Sequence, residues 1–466
     1  MECEKKQIRS LGLAKHQKLH LALLITCCVV SLIFLMRYSL TLPRLSSWLW
    51  SHVAPDDKVA GEMINTHELG GDARKHELKQ DRKPLCDFSD RRSIVCELEG
   101  DIRVHGNSSS ILFSNWKYSE LQESWLIKPH ARKEDPVALS HVTQVSVQSF
   151  ADQDRVPRCA IRSSVPAIIF STGGYMGNPF HDFTDVLIPL FITSFQFNGE
   201  VQFLVREIVP WWIQKYEPLL KRLSHYEIIN WNQDNVTRCF PHVTVGLKFH
   251  KEMSIDPTRT PNRLSMVDFG RFASSSFAVP RESVIKLGEA NQDKKPRLLI
   301  IARRRTRTFK NVDEIVQVAE DLGYEVIVAD TGRDSNLTEF AQLVNSCDVM
   351  MGVHGAGLTN FIFLPVNATL IQVVPLGQMD EISRVDFGEP ALDMKVNYLH
   401  YSITDEESTL MEQYPRDHPI FRDPTSITKQ GWHSRRFVYL VDQDVKLNVV
   451  RFRAFLIRAL QFLLQG

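Results

Sequence analysis

The sequence lacks a net charge and lacks a CxxC pair, and each absence argues against one class of protein. Its 466 residues carry 55 Lys+Arg and 55 Asp+Glu, so no overall field favours nucleic acid and any phosphate site has to be local. Without a CxxC pair, a zinc site built from cysteines is not expected. What is present, 43% hydrophobic and 24% charged residues, is typical of a packed chain long enough for two domains.

A long apolar run lies near the N-terminus, at residues 21–36. At about 1.5 Å per residue it spans roughly 24 Å, which fits a thin bilayer. Basic residues are concentrated before it, so the positive-inside rule predicts a cytosolic tail over residues 1–20 and a lumenal body. A cleaved signal peptide is the alternative, but no small-x-small cleavage site follows Met36, which favours an uncleaved anchor. A single anchor in a thin membrane suggests the endoplasmic reticulum or the Golgi apparatus.

Glycosylation patterns and cysteines agree with a lumenal body. The triplet N-x-[ST] occurs after the predicted anchor at four asparagines: Asn107, Asn235, Asn336 and Asn367. Five cysteines also follow the anchor. The nearest pair, Cys86 and Cys96, is the first candidate for a disulfide. Cys159 with Cys239 is the second, which leaves Cys347 free and buried.

Strand-like and helix-like segments alternate along the body, which predicts an α/β fold with parallel sheets. A polar stem covers residues 37–85. The first Rossmann-like domain covers residues 86–290, with predicted strands at 167–170, 201–205 and 227–229 and predicted helices at 181–195 and 211–223.

The second Rossmann-like domain covers residues 291–380 and shows the same alternation more clearly. Its predicted strands lie at 297–302, 324–329, 348–353 and 369–374. Residues 381–466 form an extension that ends in an amphipathic helix over residues 445–464.

The segment GVHGAGLTN at residues 352–360 organises the second domain. An apolar strand precedes it and an apolar helix follows. A strand that breaks at glycines and opens a helix presents free N–H groups at the positive end of the helix dipole, which suits phosphate. Since any tight turn in an α/β protein needs glycine, it is the histidine inside the turn, His354, that favours a binding site.

Basic residues follow the neighbouring predicted strand. The segment RRRTRTFKN at residues 303–311 begins at the carboxyl end of strand 297–302, on the same rim as the glycine segment. Guanidinium groups can grip a diphosphate in bidentate fashion, so this segment is a candidate diphosphate site, with a solvated basic loop as the alternative. Asn311 is also predicted to cap the next helix, with Glu314 as its capping-box partner.

A histidine and a carboxylate stand together in the first domain. His181 and Asp185, four residues apart on a predicted helix, share a face, while Asp182 points elsewhere. A carboxylate beside an imidazole orients it and raises its basicity, as a general base requires; acidic capping of the helix is the alternative. Two D-x-D triplets, at residues 152–154 and 442–444, have a metal-site spacing but follow no predicted α/β strand, so we expect no metal there.

These motifs, taken in order, resemble glycosyltransferase family 61. The resemblance runs from about residue 166 to the C-terminus and is carried by three patterns: Asn178…His181…Asp185, Arg303…Arg307…Asn311, and GVHGAGLTN. The segments YPRDHP at 414–419 and QDVKLN at 443–448 resemble the plant branch that acts on xylan in grasses. That branch includes xylan arabinosyltransferases and xylan xylosyltransferases.

The resemblance implies an inverting Golgi glycosyltransferase with a GT-B fold, in which an acceptor-side and a donor-side domain face a cleft. It implies a type II membrane protein with UDP-arabinofuranose or UDP-xylose as donor, xylan as acceptor, no cofactor, no essential metal, and complexes with other xylan-synthesising enzymes. The final helix is expected to return to the first domain. The donor-binding residues are then Arg303, Arg307, Asn311, His354, Gly355, Ala356, Gly357 and Asn360.

In the reaction that follows from this resemblance, His181 or Asp185 removes the acceptor proton, with His181 the first choice. The glycine amides and the arginines stabilise the departing UDP, and His354 contacts the nucleotide-sugar. The donor sugar and the identity of the base stay open at this point. So do two other functions: a protein N- or O-glycan glycosyltransferase of the same family, and a non-catalytic glycan-binding homologue.

Overall fold

Two β-sheets, covered by helices, make up the part of the chain that the structure describes. In a computed structural model of the protein, these are residues 85–114, 124–150, 156–288, 294–330 and 336–465, all within a unit that begins at Asp81. The predicted tail, the predicted anchor at residues 21–36 and all but the last residue of the predicted stem lie outside those ranges. None of the described helices is long and apolar enough to cross a membrane.

The first sheet is mixed and contains ten of the described strands. In chain order they are β1 Cys86–Asp87, β2 Val95–His105, β3 Ser110–Ser114, β4 Ser124–Ile127, β5 Val145–Phe150, β6 Ile161–Arg162, β7 Ala167–Ser171, β8 Gln202–Arg206, β9 Ile229–Asn230 and β10 Thr237–Val245. The sheet order is β4-β5-β3-β2-β10-β7-β8-β9, with β1 paired to β2 and β6 to β10. β10, β7, β8 and β9 are parallel, and β7 is buried along its whole length, as expected of a strand covered on both faces.

Strand β10 is the main element of this sheet that the sequence pattern does not predict. Pro241 interrupts it, and proline cannot donate a hydrogen bond to a neighbouring strand. The pairing with β2 shifts register between Phe240 and His242, which is where a sheet accommodates a proline as a bulge. β10 joins the antiparallel half of the sheet to the parallel half.

The second sheet is parallel throughout. Its strands are β11 Arg297–Ile301, β12 Glu325–Ala329, β13 Val349–Val353, β14 Thr369–Val374 and β15 Asn397–Ser402, in the order β12-β11-β13-β14-β15. All residues of β13 and β14 are buried, which explains why their continuous apolar runs predict strands so well. β15 is half-exposed and polar, and it completes the sheet from within the predicted extension.

Helices connect the strands and cover both sheets. The α-helices lie at Pro136–Ser140, Pro179–His181, Ile188–Ser194, Pro210–Leu223, Met266–Ser276, Val312–Asp321, Leu337–Asn345, Asp380–Ser383, Glu389–Asp393, Pro419–Arg422, Pro424–Thr428, Trp432–Arg436 and Val449–Gln465. Short 3₁₀ helices lie at Phe195–Phe197, Pro257–Arg259, Ala356–Phe363, Asp405–Glu407 and Thr409–Glu412, and π-helical turns at Asp182–Leu187, Arg384–Gly388 and Phe437–Val441. Such π-turns are frequent at functional sites.

The two sheets share one hydrophobic core. A single cluster of buried side chains contains residues of both, for example Phe203 of β8 and Met351 of β13. At the seam between the sheets, Phe180 packs on Phe387 with ring centroids 5.5 Å apart. Further along the seam, Phe277 packs on Phe363 at 5.3 Å. Since each fully buried aromatic contributes roughly 1.5–3 kcal/mol, the seam stabilises the arrangement of the sheets.

The final helix, Val449–Gln465, packs mainly on the second sheet, and its expected return to the first domain stays a prediction. Its principal contacts are with the helix Val312–Asp321 and with β14 and β15. Phe452 and Phe455 pack edge-on against Tyr401, with centroids 5.1 and 5.0 Å from it. This apolar face therefore covers the second sheet, while near the end of the helix Leu463 O accepts from the backbone N–H of Leu287 at 3.0 Å.

Both candidate disulfides form, as predicted. Cys86–Cys96 ties β1 to β2. Cys159–Cys239 ties the segment before β6 to β10 across a sequence separation of 80 residues. Cys347 is free and buried, and burial raises the pKa of its thiol. The cysteines are therefore structural, consistent with an oxidising compartment.

Candidate active site

The glycine segment lies at the carboxyl edge of the second sheet, as predicted. β13 ends at Val353, and Gly355 turns the chain with φ +143° into the 3₁₀ helix Ala356–Phe363. A Cβ atom on Gly355 would lie 2.6 Å from Nη1 of Arg307 and 3.0 Å from Nη1 of Arg303. Glycine is thus required twice here, by the backbone conformation and by the two guanidinium groups that cover it.

Arg303 and Arg307 form a partly buried pair of cations, and neither has an ion-pair partner among the described residues, although the charge of Asp330 acts on Arg303. Arg303 donates from Nε to Thr306 O at 2.9 Å, and Arg307 donates from Nη1 to His354 O at 2.6 Å. The Nε of Arg307 is buried and has no partner in the described chain. Burial, then the charges of Arg303 and Arg436, lowers the pKa of Arg307 to about 9. Buried charges are normally paired, so this pair is built to receive an anion.

A further basic pair, which the sequence motifs do not indicate, comes from the helix Trp432–Arg436. Arg435 donates to the carbonyl oxygens of Gly377 and Gln378, and its charge acts on His354. The charge of Arg436 acts on Arg307. These arginines are more than a hundred residues from the segment at 303–311. Only the fold reveals that their positive charges act on the same site as Arg303 and Arg307 do.

His354 is a neutral histidine held by hydrogen bonds. Its Nδ1 is 2.8 Å from Nε2 of Gln372 and 3.2 Å from Oγ of Ser383. Burial, then the charges of Arg307, Arg303 and Arg435, lowers the pKa of His354 to about 3. A histidine that stays neutral at physiological pH and lies among arginines is suited to contact a ligand as a hydrogen-bond partner, and the contact of His354 with a nucleotide-sugar stays a prediction.

The prediction for Asn311 needs a correction. Its Oδ1 accepts from the backbone N–H of Leu447, and its Nδ2 donates to Leu447 O and to Oε2 of Glu314, each at 2.9 Å. The side chain makes no capping bond to the helix Val312–Asp321. Because the buried amide is fully used in this way, Asn311 fastens the segment before the final helix and does not face a donor. Asn360 donates to Gly357 O at 3.0 Å, which closes the helical turn around the glycine segment.

His181 and Asp185 meet as predicted. Nδ1 of His181 is 3.0 Å from Oδ2 of Asp185, and the same oxygen accepts from Nε of Arg132 at 2.7 Å. Burial would raise the pKa of Asp185, but His181 and Arg132 bring it below its ordinary value. Arg132 also donates to Glu252 at 3.1 Å. Asp185 is therefore an ionised, buried carboxylate that orients the imidazole.

Asp182 and Tyr175 surround this pair in different roles. Asp182 accepts from Trp212 Nε1 at 2.9 Å and from Tyr216 O–H at 2.8 Å, so it points away from the imidazole, as predicted. Burial raises the pKa of Asp182. Tyr175 lies against His181 with ring centroids 4.5 Å apart and limits the directions from which a ligand can approach the imidazole.

Asp386 comes from the second half of the chain and lies near the site of His181 and Asp185. It lies in the π-turn Arg384–Gly388 beside Phe387, which contacts both Phe180 and His354. Burial raises the pKa of Asp386 to about 7, against the charges of Arg132 and Arg92. Neither Asp386 nor Arg132 belongs to a local sequence motif, so the sequence alone does not reveal that their charges interact.

Comparison with known proteins assigns the chain to a protein family. A family model described as Glycosyltransferase 61 matches residues 180–371. Rice (Oryza sativa subsp. japonica) alpha-1,3-arabinosyltransferase XAT3 is 47% identical over 91% of this chain and 71% of its own. The protein belongs to glycosyltransferase family 61. Rice beta-1,2-xylosyltransferase XYXT1 is 45% identical over 81% of this chain and 84% of its own, and the Arabidopsis thaliana xylan glycosyltransferase MUCI21 is 36% identical over 80% and 78%.

A solved structure gives less information about this family 61 protein. The bacterial iron-containing dodecameric glycosyltransferase TibC, from enterotoxigenic E. coli, covers 63% of this chain and 78% of its own at 14% identity. Its TM-score of 0.25 is too low to support any inference. The family match itself spans both halves of the site, from the helix of His181 to the glycine segment.

A cavity of about 430 Å³ opens at the carboxyl edge of the first sheet of this family 61 protein. Its lining residues are His141, Gly173, Gly174, Met176, Glu207, Ile208 and Val209. Tyr175, which lies against His181, is flanked in the chain by two of them. The cavity therefore adjoins the candidate base, at the edge of the sheet where parallel α/β sheets bind ligands.

The expectation of no metal at the two D-x-D triplets stays a prediction. The first, at residues 152–154, lies outside the described residues. In the second, Asp444 accepts from the backbone N–H of Thr308 at 2.7 Å and anchors the loop of the arginines. One cluster with metal-ligand spacing occurs in the described chain, Asp101 with Cys159 and Cys239, but the two sulfurs are joined in a disulfide. The cluster therefore does not fit a metal ion.

The four asparagines of the glycosylation patterns are all exposed: Asn107, Asn235, Asn336 and Asn367. Asn336 also caps the helix Leu337–Asn345 by accepting from Thr338 N–H at 3.0 Å. Their modification stays a prediction.

Proposed function

We propose that this family 61 protein transfers a pentose, arabinofuranose or xylose, from a UDP-sugar to the backbone of xylan. Its relatives named as arabinosyltransferase, xylosyltransferase and xylan glycosyltransferase support the sugar and the acceptor. The observation that carries the donor assignment is the partly buried pair Arg303 and Arg307 over Gly355, in which neither guanidinium has an ion-pair partner in the described chain. A nucleoside diphosphate supplies the missing negative charge.

In this proposal the diphosphate lies against Gly355 between the two arginines. The bond from the anomeric carbon to the UDP oxygen breaks during transfer, and negative charge grows on the leaving diphosphate. Arg303 and Arg307 are fixed in place by Thr306 O and His354 O, so they meet that charge without rearranging. Preorganised donors of this kind contribute several kcal/mol to lowering the barrier.

His181 is the general base in this proposal, and Asp185 positions it. Asp185 is ionised and its Oδ2 accepts from Nδ1–H of the imidazole, which leaves the lone pair on Nε2. Nε2 takes the proton of a xylan hydroxyl, the oxygen attacks the anomeric carbon from the face opposite UDP, and the configuration inverts. Asp185 is only 1% exposed and is already bound by Arg132, so it cannot reach the acceptor itself. The cavity beside Tyr175 gives the acceptor its place.

The same proposal covers the two domains, the membrane anchor and the location of the protein. The two sheets are the cores of the acceptor-side and donor-side domains of a GT-B enzyme, with the division near residue 290. The anchor at residues 21–36 holds the protein in the Golgi membrane with its body in the lumen, where other xylan-synthesising enzymes can associate with it. Catalysis proceeds without an essential metal, since the arginines take the role that a divalent cation plays at a diphosphate.

The experiment is transfer by the purified protein, with UDP-arabinofuranose and UDP-xylose each offered xylo-oligosaccharides, and with the product linkage determined by NMR. Pentosylated xylo-oligosaccharide is the expected product. Transfer to glycopeptides instead would replace the acceptor, and tight glycan binding without turnover of either donor would show a binding protein. His181→Asn should lower transfer by about 10²–10⁴-fold while UDP binding, measured by calorimetry, is unchanged.

A further inference from the structure

A line of hydrogen bonds runs from the protein surface to His354. Oδ1 of Asp380 is 2.8 Å from Nε2 of His400, and Nδ1 of His400 is 3.0 Å from the hydroxyl of Tyr398. That hydroxyl is 2.8 Å from Oε1 of Gln372, and Nε2 of Gln372 is 2.8 Å from Nδ1 of His354. These five residues, here called the relay, connect an exposed carboxylate with the candidate donor site.

The strand register explains why the relay exists. Gln372 of β14 is paired with His400 of β15, and Tyr398 and His400 are two apart on β15, so they share a face of the sheet. Gln372 is fully buried, and buried polar groups must find partners. The three central members of the relay are Gln372, Tyr398 and His400. His400 is 28% exposed, so it is the one of the three that can exchange protons with solvent.

Each link constrains the next, because a hydroxyl has one proton and an amide has a donor end and an acceptor end. As the contacts stand, Tyr398 gives its proton to Gln372, so Nδ1 of His400 has to donate to Tyr398. Nε2 of His400 also donates, since Asp380 is a carboxylate. His400 is then doubly protonated and positively charged. At the other end, Gln372 donates to Nδ1 of His354, which places the proton of that neutral ring on Nε2.

Loss of one proton from His400 reverses the relay. Neutral His400 keeps Nε2–H for Asp380, and its Nδ1 becomes an acceptor for Tyr398. The oxygen of Tyr398 then needs a donor, which Gln372 supplies when its amide turns over. Oε1 of Gln372 now faces Nδ1 of His354, so that nitrogen has to carry the proton, and Nε2 loses it. Any intermediate arrangement leaves two buried acceptors or two buried donors facing each other, which is costly.

We propose that the charge of His400 selects the tautomer of His354 through Tyr398 and Gln372, and thereby sets the affinity of the site for the diphosphate of the donor. Protonated His400 gives His354 with Nε2–H, a donor to the diphosphate. Neutral His400 gives His354 with a lone pair on Nε2, which repels phosphate oxygens. The last step rests on the proposed function, whereas the tautomer switch itself does not.

The atoms at the two ends of the relay are suited to this coupling. Nε2 of His354 has no partner among the described residues and is not closed off from solvent, so it is the free end of the ring. Oγ of Ser383, 3.2 Å from Nδ1, can donate or accept by rotation and fits either tautomer. At the outer end, Ser402 donates to Oδ1 of Asp380 at 2.5 Å, which keeps that oxygen an acceptor.

The charged groups around His400 are few. Asp380 is its ion-pair partner, and Ser402 and His400 lower the pKa of Asp380 against the effect of burial. Arg384 acts on Tyr398 but is itself paired with Glu389. From the final helix, Arg451 donates to the backbone oxygen of Ser402 at 2.7 Å and is paired with Glu407.

The direct test is ¹⁵N NMR of the full-length protein labelled at histidine, from pH 5 to 8, with the His354 signals assigned by their loss in His354→Gln. Wild-type His354 should move from Nε2–H to Nδ1–H as pH rises. In Tyr398→Phe, and separately in His400→Gln, the tautomer should be independent of pH. An unchanging tautomer in wild type, or a switch that persists in Tyr398→Phe, would overturn the proposal.

The second test measures the dissociation constant of UDP over the same pH range. The phosphate of UDP titrates too, so the comparison is between variants. We expect the affinity of wild type to fall by about tenfold more than that of Tyr398→Phe or His400→Gln, the worth of one hydrogen bond to a charged group. The matched control is His225→Gln, a surface histidine 3.1 Å from Glu200, which should follow wild type.

The outcomes separate the two proposals. A pH-dependent tautomer with no UDP binding at any pH would remove the proposed function and leave the relay standing. UDP binding with parallel pH profiles in all four proteins would remove the relay and leave the proposed function standing. A purely structural role for Tyr398 would lower stability without flattening either profile.

Discussion

At the residue scale, Arg307 is the side chain on which donor use depends most in the proposed reaction. Arg307→Gln removes a partly buried guanidinium that covers Gly355, and we expect kcat/KM for the UDP-sugar to fall by about 10²–10³-fold. The matched control is Arg304→Gln in the same loop, since Arg304 is 82% exposed and paired with Asp330 at 3.0 Å. Steady-state kinetics on both variants provide the test, and equal losses would refute the special position of Arg307.

Asp386 links stability to pH with the sign opposite to that of most carboxylates. Its pKa is about 7 in the folded protein against an ordinary 3.8, so its ionisation opposes folding. The penalty is absent below pH 4, grows between pH 4 and 7, and is complete above pH 7.

We therefore expect Asp386→Asn to be more stable than wild type above pH 7, by about 1–2 kcal/mol after discounting for partial exposure, and no more stable at pH 4. Thermal unfolding at both pH values measures this. We also expect at least about tenfold slower transfer. A carboxyl group whose ionisation opposes folding, because burial raises its pKa, is typical of functional sites. Glu381→Gln, an exposed neighbour, is the control. Undiminished transfer in Asp386→Asn would remove Asp386 from the reaction.

At the element scale, Glu97 secures the pairing of β2 with β10. It accepts from Thr244 at 2.8 Å and pairs with Lys248 at 2.9 Å and His242 at 3.2 Å. Burial alone would raise the pKa of Glu97, but these partners lower it to about 2. Since the pKa in the unfolded chain is near 4.5, this stabilisation is complete above pH 4.5 and is lost as pH falls toward 2.

Glu97→Gln should therefore cost about 1–3 kcal/mol at pH 7, with the difference from wild type narrowing below pH 4.5. Urea unfolding at pH 7 and at pH 4 or lower measures it. Glu99→Gln is the control, on the same strand but exposed, and it should stay close to wild type. A difference that is the same at every pH would mean that the carboxylate's charge has no part in the pairing.

Elements were predictable from the sequence where burial is continuous. β13 and β14 consist of buried apolar residues, so the run itself defines the strand. β10 and β15 were not, because Pro241 breaks the first and the polar residues of the second give no alternating pattern.

The same contrast holds within the site. His181 with Asp185, and Arg303 with Arg307, are local in sequence and were predicted together. Arg132 is 53 residues from Asp185, and Gln372 meets His354 only because β13 and β14 are neighbours. Such partners follow from the topology and leave no local signal.

At the scale of the whole molecule, the shared core predicts cooperative unfolding. Since one cluster of buried side chains contains residues of both sheets, the body from residue 81 onward should unfold in a single calorimetric transition. Phe387→Ala should lower its stability by about 3–5 kcal/mol, as expected for loss of a buried aromatic. Phe437→Ala, at a 50% exposed position, is the control. Two well-separated transitions in wild type would show that the sheets are independent.

The aromatic seam between the two sheets also affects whether halves of related proteins can be exchanged. Phe180 with Phe387 and Phe277 with Phe363 pair residues from the two sides of the proposed domain linker near residue 290. Recombination at that linker, between an arabinosyltransferase gene and a xylosyltransferase gene, would join two faces with separate histories of mutation. Chimeras should therefore be productive only when the crossover carries both members of each aromatic pair. Exchange of halves between relatives is therefore expected to give a folded, active protein less often than single substitutions do.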